Sequence, residues 1–144
     1  MMGSDLSESL EDYLEAALII LLEKGKVRVK YLSEQLGVSP ASVTEALKKL
    51  EKLGYVKYEG HGKILLTEKG RRKAKEVLEK HLSLFNFLHN ILGVDRETAE
   101  VEACKMEHIL SHETLNKIAM LGELVSSESE RNPDFREKLS SIKR

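Results

Sequence analysis

One cysteine among 144 residues rules out an intramolecular disulfide and leaves a single thiol, Cys104, available as a ligand in a reducing compartment. Two prolines and no tryptophan, with 41% hydrophobic and 33% charged residues, suit a helix-rich soluble chain with charged faces. No apolar run approaches the roughly 20 residues needed to span a bilayer. The N-terminus, with Asp5, Glu8, Glu11 and Asp12, lacks the basic start of a signal peptide, so the cytoplasm is the expected location and no membrane partner is expected. Net charge is also nearly absent, at -1, but this conceals an asymmetry. Residues 24–75 hold 14 Lys/Arg against 5 Asp/Glu, and the remainder holds 9 against 19. A basic first half on an acidic second half suggests a polyanion-binding module attached to something else.

Residues 8–24 place Leu10, Tyr13, Leu14, Ala17, Leu18, Leu21 and Leu22 at helical spacing, with Ser7 or Ser9 as N-cap and Gly25 as the stop. After Val27-Arg28-Val29, a short helix over 30–36 ends at Gly37. Ser39 as cap and Pro40 at the first helical position then open a third helix reaching about Lys52. A short helix, a glycine turn and a longer helix make a helix-turn-helix. Val43, Leu47 and Leu50 should face its core. Ser39, Pro40, Ala41, Ser42, Thr44, Glu45, Lys48 and Lys49 are the expected DNA-facing residues, suited to base edges at the N-terminal end and to phosphates further along. Two short strands around Glu59-Gly60-His61-Gly62-Lys63 read as a wing, with Lys63 placed to meet phosphate.

Thr67 caps a further helix that runs long from Lys73 to Leu92 and is apolar on more than one face after His81, a surface best read as a dimer interface. Asp95 caps the next helix, which carries Val101-Glu102-Ala103-Cys104-Lys105-Met106-Glu107-His108. On a helix Cys104, Glu107 and His108 fall at i, i+3 and i+4, so thiolate, carboxylate and imidazole share one face within reach of a single cation. Taken alone, a lone cysteine is as readily a small core residue, with Glu107 and His108 at the solvent edge. His89 and His112 read as structural or solvent-facing. From Ser126 onward the composition is polar, and a loose tail with at most one short helix near Phe135 and Leu139 is expected.

In this order, helix-turn-helix, wing, apolar helix and cysteine helix, the chain resembles the metal-dependent repressors of the diphtheria toxin repressor and manganese transport regulator family. The resemblance covers roughly residues 8–125. It is carried by Glu11-Asp12-Tyr13-Leu14-Glu15, Val38-Ser39-Pro40-Ala41-Ser42-Val43-Thr44, Lys80-His81 and, most specifically, Glu102-Ala103-Cys104-Lys105-Met106-Glu107-His108. It implies a mainly α fold: a winged helix-turn-helix DNA-binding domain over 1–72 with a two-stranded wing, an all-α dimerisation and metal-binding domain over 73–125, and a polar tail over 126–144. It implies metal ligands at Asp12, Glu15, His81, Cys104, Glu107 and His108. Asp12 and Glu15 look like the manganese branch and Cys104 like the iron branch, while Phe85 and Glu100 stand where the iron branch has other ancillary ligands.

The expected function is that of a cytoplasmic homodimeric regulator, not an enzyme, that binds palindromic double-stranded operator DNA when loaded with Mn(II) or Fe(II); Co(II), Ni(II) and Zn(II) also suit a site containing a thiol. The competing reading is a metal-independent winged-helix regulator of the multiple-antibiotic-resistance type that answers to an organic effector. A small metallohydrolase is a poorer match, because it leaves the basic winged helix unexplained.

Overall fold

The computed structural model describes residues 6–144; Asp5, read as part of the acidic start, lies outside them. The chain divides into two compact units, Met1–Leu78 and Glu79–Arg144.

The first unit opens with α1 (Glu8–Lys24), where the Ser7 side chain accepts from the Leu10 N–H and Gly25, at φ 78°, closes the helix. Tyr13, Leu14, Ala17 and Ile20 are buried. Leu22, expected on the same stripe, is 72% exposed because the stripe follows 3.6-residue spacing through Ile20 instead. After β1 (Val27–Arg28) come α2 (Val29–Leu36) and α3 (Pro40–Lys52), joined through Gly37 in the left-handed conformation. Ser39 accepts from the Ser42 N–H at 3.1 Å with Pro40 next in the chain, as the spacing predicts. Val43, Leu47 and Leu50 point into the core, which fixes the opposite face of α3 outward.

Strands β2 (Val56–Gly60) and β3 (Lys63–Leu66) form the antiparallel hairpin. The expected two-stranded wing has a third member: β1 pairs with β3, Val27 opposite Ile64, giving the order β1-β3-β2. A two-residue strand is too short to announce itself by alternation, which is why its pairing is invisible in the sequence. Helix α4 (Glu68–Phe85) begins where Thr67 accepts from the Gly70 N–H at 3.0 Å. Gly70 admits no side chain, since a Cβ there would collide with the Tyr55 carbonyl.

In the second unit the helix expected to run unbroken to Leu92 changes to a π-helical segment over Asn86–Ile91. Leu84 and Leu88 are core residues, packed with Ala99, Ala103 and Leu115. Part of the apolar surface expected at a dimer interface is therefore interior, while Leu82, Met120, Leu121 and Leu124 stay exposed. Helices α5 (Arg96–Met106), α6 (His112–Arg131) and α7 (Pro133–Lys143) complete the chain. The short helix allowed near Phe135 and Leu139 is α7, but the stretch before it, expected to be loose from Ser126, is helical too, since α6 runs to Arg131. Asn132 caps α7 by accepting from the Phe135 N–H at 3.1 Å, with Pro133 next, the same local device as Ser39-Pro40. Among the described residues no helix is long and apolar enough to cross a membrane.

Candidate metal centre

Helix α5 is set by the Asp95 cap, whose carboxylate accepts from the Thr98 N–H at 3.2 Å. Side-chain and then backbone hydrogen bonds from Thr98 hold the Asp95 carboxyl below its ordinary range. The helix closes earlier than the spacing implies: it ends at Met106, Glu107 is its C-cap, and His108 lies in the following turn. There the His108 N–H turns to the Lys105 carbonyl at 3.4 Å and the Ile109 N–H to Met106 at 3.0 Å. These i to i−3 bonds tighten the backbone. Because Glu107 keeps an αR backbone, the three side chains still converge. The sulfur of Cys104, a carboxylate oxygen of Glu107 and a ring nitrogen of His108 all lie within 4.8 Å of one another, Cys104 and His108 half-buried.

Glu107 is the unusual member. Its side chain has no solvent exposure. One oxygen meets His81 Nδ1 at 3.2 Å, and the other, Oε2, is buried with no hydrogen-bond partner among the described residues. A buried ionised carboxylate is costly unless paired and hydrogen-bonded. A buried carboxylate with one unpartnered oxygen, clustered with a thiol and an imidazole, fits a cation site, and the thiolate–imidazole–carboxylate set suits a divalent transition metal.

His81, from α4, has a side chain only 11% exposed, and its other ring nitrogen, Nε2, meets the Glu100 carboxylate. His81 is thus held between two carboxylates of the same unit. Asp12 and Glu15 lie one turn apart on α1 in the first unit, Asp12 half-buried and Glu15 buried. Phe85 stacks on His89 with ring centroids 5.2 Å apart, and His89 Nδ1 meets the Val94 carbonyl at 2.8 Å, a structural role. His112 is exposed at the start of α6.

On the winged helix, Ser39, Pro40, Ala41, Ser42, Glu45, Lys48 and Lys49 are exposed together on α3 and its cap, and Thr44 is half-buried. Lys63 is exposed on the hairpin, where it pairs with Glu59 at 3.8 Å, an ion pair worth little at this exposure. Sequence reasoning passed over Arg28. Its Nη1 donates to the His61 carbonyl at 3.0 Å, and the Val29 N–H donates to Gly62 at 3.0 Å, so the wing tip is fastened to β1. Gly60, His61 and Gly62 all adopt positive φ there, the signal being the two glycines flanking His61.

A winged helix with exposed lysines on its recognition helix, in one chain with a helical unit that gathers thiol, imidazole and buried carboxylate, is the arrangement of a DNA-binding regulator with a metal-binding unit. The chain belongs to the iron-dependent repressor family: the model of that family's N-terminal DNA binding domain matches residues 5–64, and that of its metal binding and dimerisation domain matches residues 67–136. It is 43% identical over 119 residues to an uncharacterised HTH-type transcriptional regulator of Methanocaldococcus jannaschii, covering 82% of this chain and 95% of that one. It is 36% identical over 135 residues to the HTH-type transcriptional regulator MntR of Lysinibacillus sphaericus, covering 94% of each. Among solved structures, a manganese-dependent transcriptional repressor in complex with manganese aligns with a TM-score of 0.69 and 32% identity over 79% of this chain. The chain spans about half the length of that structure, 52%. The members of the family are metal-dependent, DNA-binding transcriptional regulators, and nothing in these matches supports the reading as a metal-independent regulator of the multiple-antibiotic-resistance type.

Proposed function

We propose that this chain holds a divalent cation through Cys104, Glu107 and His108, with Asp12, Glu15 and His81 as the remaining donors, and that the metal-loaded homodimer represses transcription by binding a palindromic operator in the cytoplasm. The observation that carries the proposal is Glu107: a carboxylate with no solvent exposure and one orphaned oxygen, within 4.8 Å of a thiol and an imidazole. Asp12 and Glu15 join it on donor chemistry and on the resemblance of Glu11-Asp12-Tyr13-Leu14-Glu15 to the family's first helix.

Bound metal supplies the positive charge that these anionic donors otherwise lack. The chain's own residues do the rest. Glu107 and His108 offer hard and borderline donors that suit Mn(II) or Fe(II), while Cys104 softens the set toward Fe(II), Co(II), Ni(II) or Zn(II). Ser39, Pro40, Ala41, Ser42, Thr44 and Glu45 present the N-terminal end of α3 to base edges, and Lys48, Lys49 and Lys63 meet phosphates. In a twofold dimer the two α3 helices must stand about 34 Å apart to enter successive major grooves, and the metal-bound donors favour that spacing. The role is regulatory rather than enzymatic.

Titration of Mn(II) and Fe(II), under reducing conditions, into protein plus its own promoter DNA tests the proposal. Operator affinity should rise with metal; equal affinity with and without metal rejects it.

A further inference from the structure

We infer that the Glu11–Lys73 ion pair is a positioning device for the metal donors of α1, an inference that rests on the proposed ligand roles of Asp12 and Glu15. The pair lies wholly within the first unit. Lys73 Nζ stands 3.3 Å from Glu11 Oε2, and the two side chains are only 16% and 11% exposed. Lys73 also reaches Glu76 Oε1 at 3.4 Å, so its ammonium group is held from both sides. The pairs Arg72–Glu68 and Lys117–Glu113, by contrast, join exposed residues four apart on one helix. Glu11–Lys73 instead ties together two elements far apart in sequence.

What it ties is specific. Glu11 directly precedes Asp12 and sits at i, i+4 with Glu15, so fixing the Glu11 side chain fixes the turn of α1 from which both proposed donors project. Lys73 shares a face of α4 with Val77 one turn further on, and Val77 is buried, so the anchor for α1 projects from a packed stretch of helix in the same unit. The pair also matters for charge. Glu11, Asp12 and Glu15 place three carboxylates within five residues, and Lys73 answers the one that is not a proposed ligand. Its removal takes away an ammonium group that stands 3.3 Å from a mostly buried carboxylate, which loosens the tie between that turn of α1 and α4.

The test is an anaerobic Co(II) titration of the full chain followed by absorption, in which the near-ultraviolet sulfur-to-cobalt charge-transfer band reports Cys104 and the visible ligand-field bands report the oxygen and nitrogen donors. Lys73→Met should weaken Co(II) binding by about tenfold to a hundredfold, the usual effect of losing a group that orients a ligand. It should keep the thiolate band and move the ligand-field bands toward those of Asp12→Ala. Lys73→Arg should restore both affinity and spectrum. Glu11→Gln, which keeps the side-chain volume, serves where Lys73→Met does not fold. Lys69→Met is the control, because Lys69 on the same helix caps the Leu53 carbonyl and stacks over Tyr55; it should leave Co(II) binding within twofold. Wild-type affinity and spectrum in both Lys73→Met and Glu11→Gln, or an equal loss in Lys69→Met, overturns the positioning role while leaving the ligand set standing. Absence of the thiolate band in the wild type, or no effect of Asp12→Ala, overturns the ligand set and this inference with it.

Discussion

Replacing Glu107 by glutamine should make the metal-free protein more stable and the metal-supplied protein less so. The side chain is fully buried, one oxygen meets His81 at 3.2 Å, and the other has no hydrogen-bond partner among the described residues. A buried polar group left unsatisfied costs about 1–3 kcal/mol, more when charged. Glutamine keeps the shape and an acceptor for His81 while removing the charge, and its buried amide N–H groups still lack a partner, so a gain of about 1 kcal/mol is expected in the absence of metal. For a chain of this length that is a rise of roughly 2–4 °C in the unfolding midpoint. With metal at about a hundredfold over its dissociation constant, the wild type gains about 2.7 kcal/mol by mass action. The variant forfeits most of that increment, so the order of the two melting curves reverses. Calorimetry of both proteins in chelator and in Mn(II) or Co(II) measures all four midpoints. A variant that is less stable without metal, yet keeps the full metal-dependent rise, would refute the reasoning and make Glu107 a structural residue.

Cys104→Glu should shift relative affinity from Zn(II) and Co(II) toward Mn(II), because a hard oxygen replaces a soft sulfur; competitive titration reads the ratio, and unaltered selectivity removes the thiol from the ligand set. Lys48→Ala with Lys49→Ala should weaken DNA binding on all sequences alike and lower the slope of log affinity against log salt by about two, as measured by anisotropy across a salt series. Thr98→Val should raise the Asp95 pKa back toward the ordinary carboxylate range, since the Thr98 side chain is the largest cause of its depression. A depressed carboxyl stabilises the fold above its ordinary pKa and loses that contribution as pH falls through the folded value. The wild type should therefore keep the α5 cap to lower pH than the variant, which carboxyl-carbon NMR resolves.

Local chemistry made most of the first unit legible. Ser39-Pro40, Gly25, Gly37 and Thr67 are caps and stops whose signal is contained in a few neighbouring residues, and each acts where the spacing places it. The same rules were present but outweighed at Asn132-Pro133, where polar composition suggested a loose tail although cap and proline open α7 as they open α3. The pairing of β1 with β3 and the Glu11–Lys73 tie depend on residues dozens of positions apart, for which no periodicity exists to be read. The Cys104-Glu107-His108 spacing identified the cluster, but helical geometry was only part of the reason it forms. The helix ends at Met106, and the cap conformation of Glu107 completes the convergence. That Glu107 would be the buried member could not be told from spacing, since burial comes from the packing around it.

Metal and operator binding are proposed to be coupled through these residues, and thermodynamic linkage tests that coupling. Operator affinity is measured with and without metal, and metal affinity with and without operator, at one salt concentration. Thermodynamic reciprocity requires the two ratios to agree, and coupling of about 1–3 kcal/mol makes each about 5- to 150-fold. Matching ratios in that range are expected in the wild type, and both are lost in Glu107→Gln. Ratios of one, with DNA bound equally well by metal-free and metal-loaded protein, would contradict the coupling.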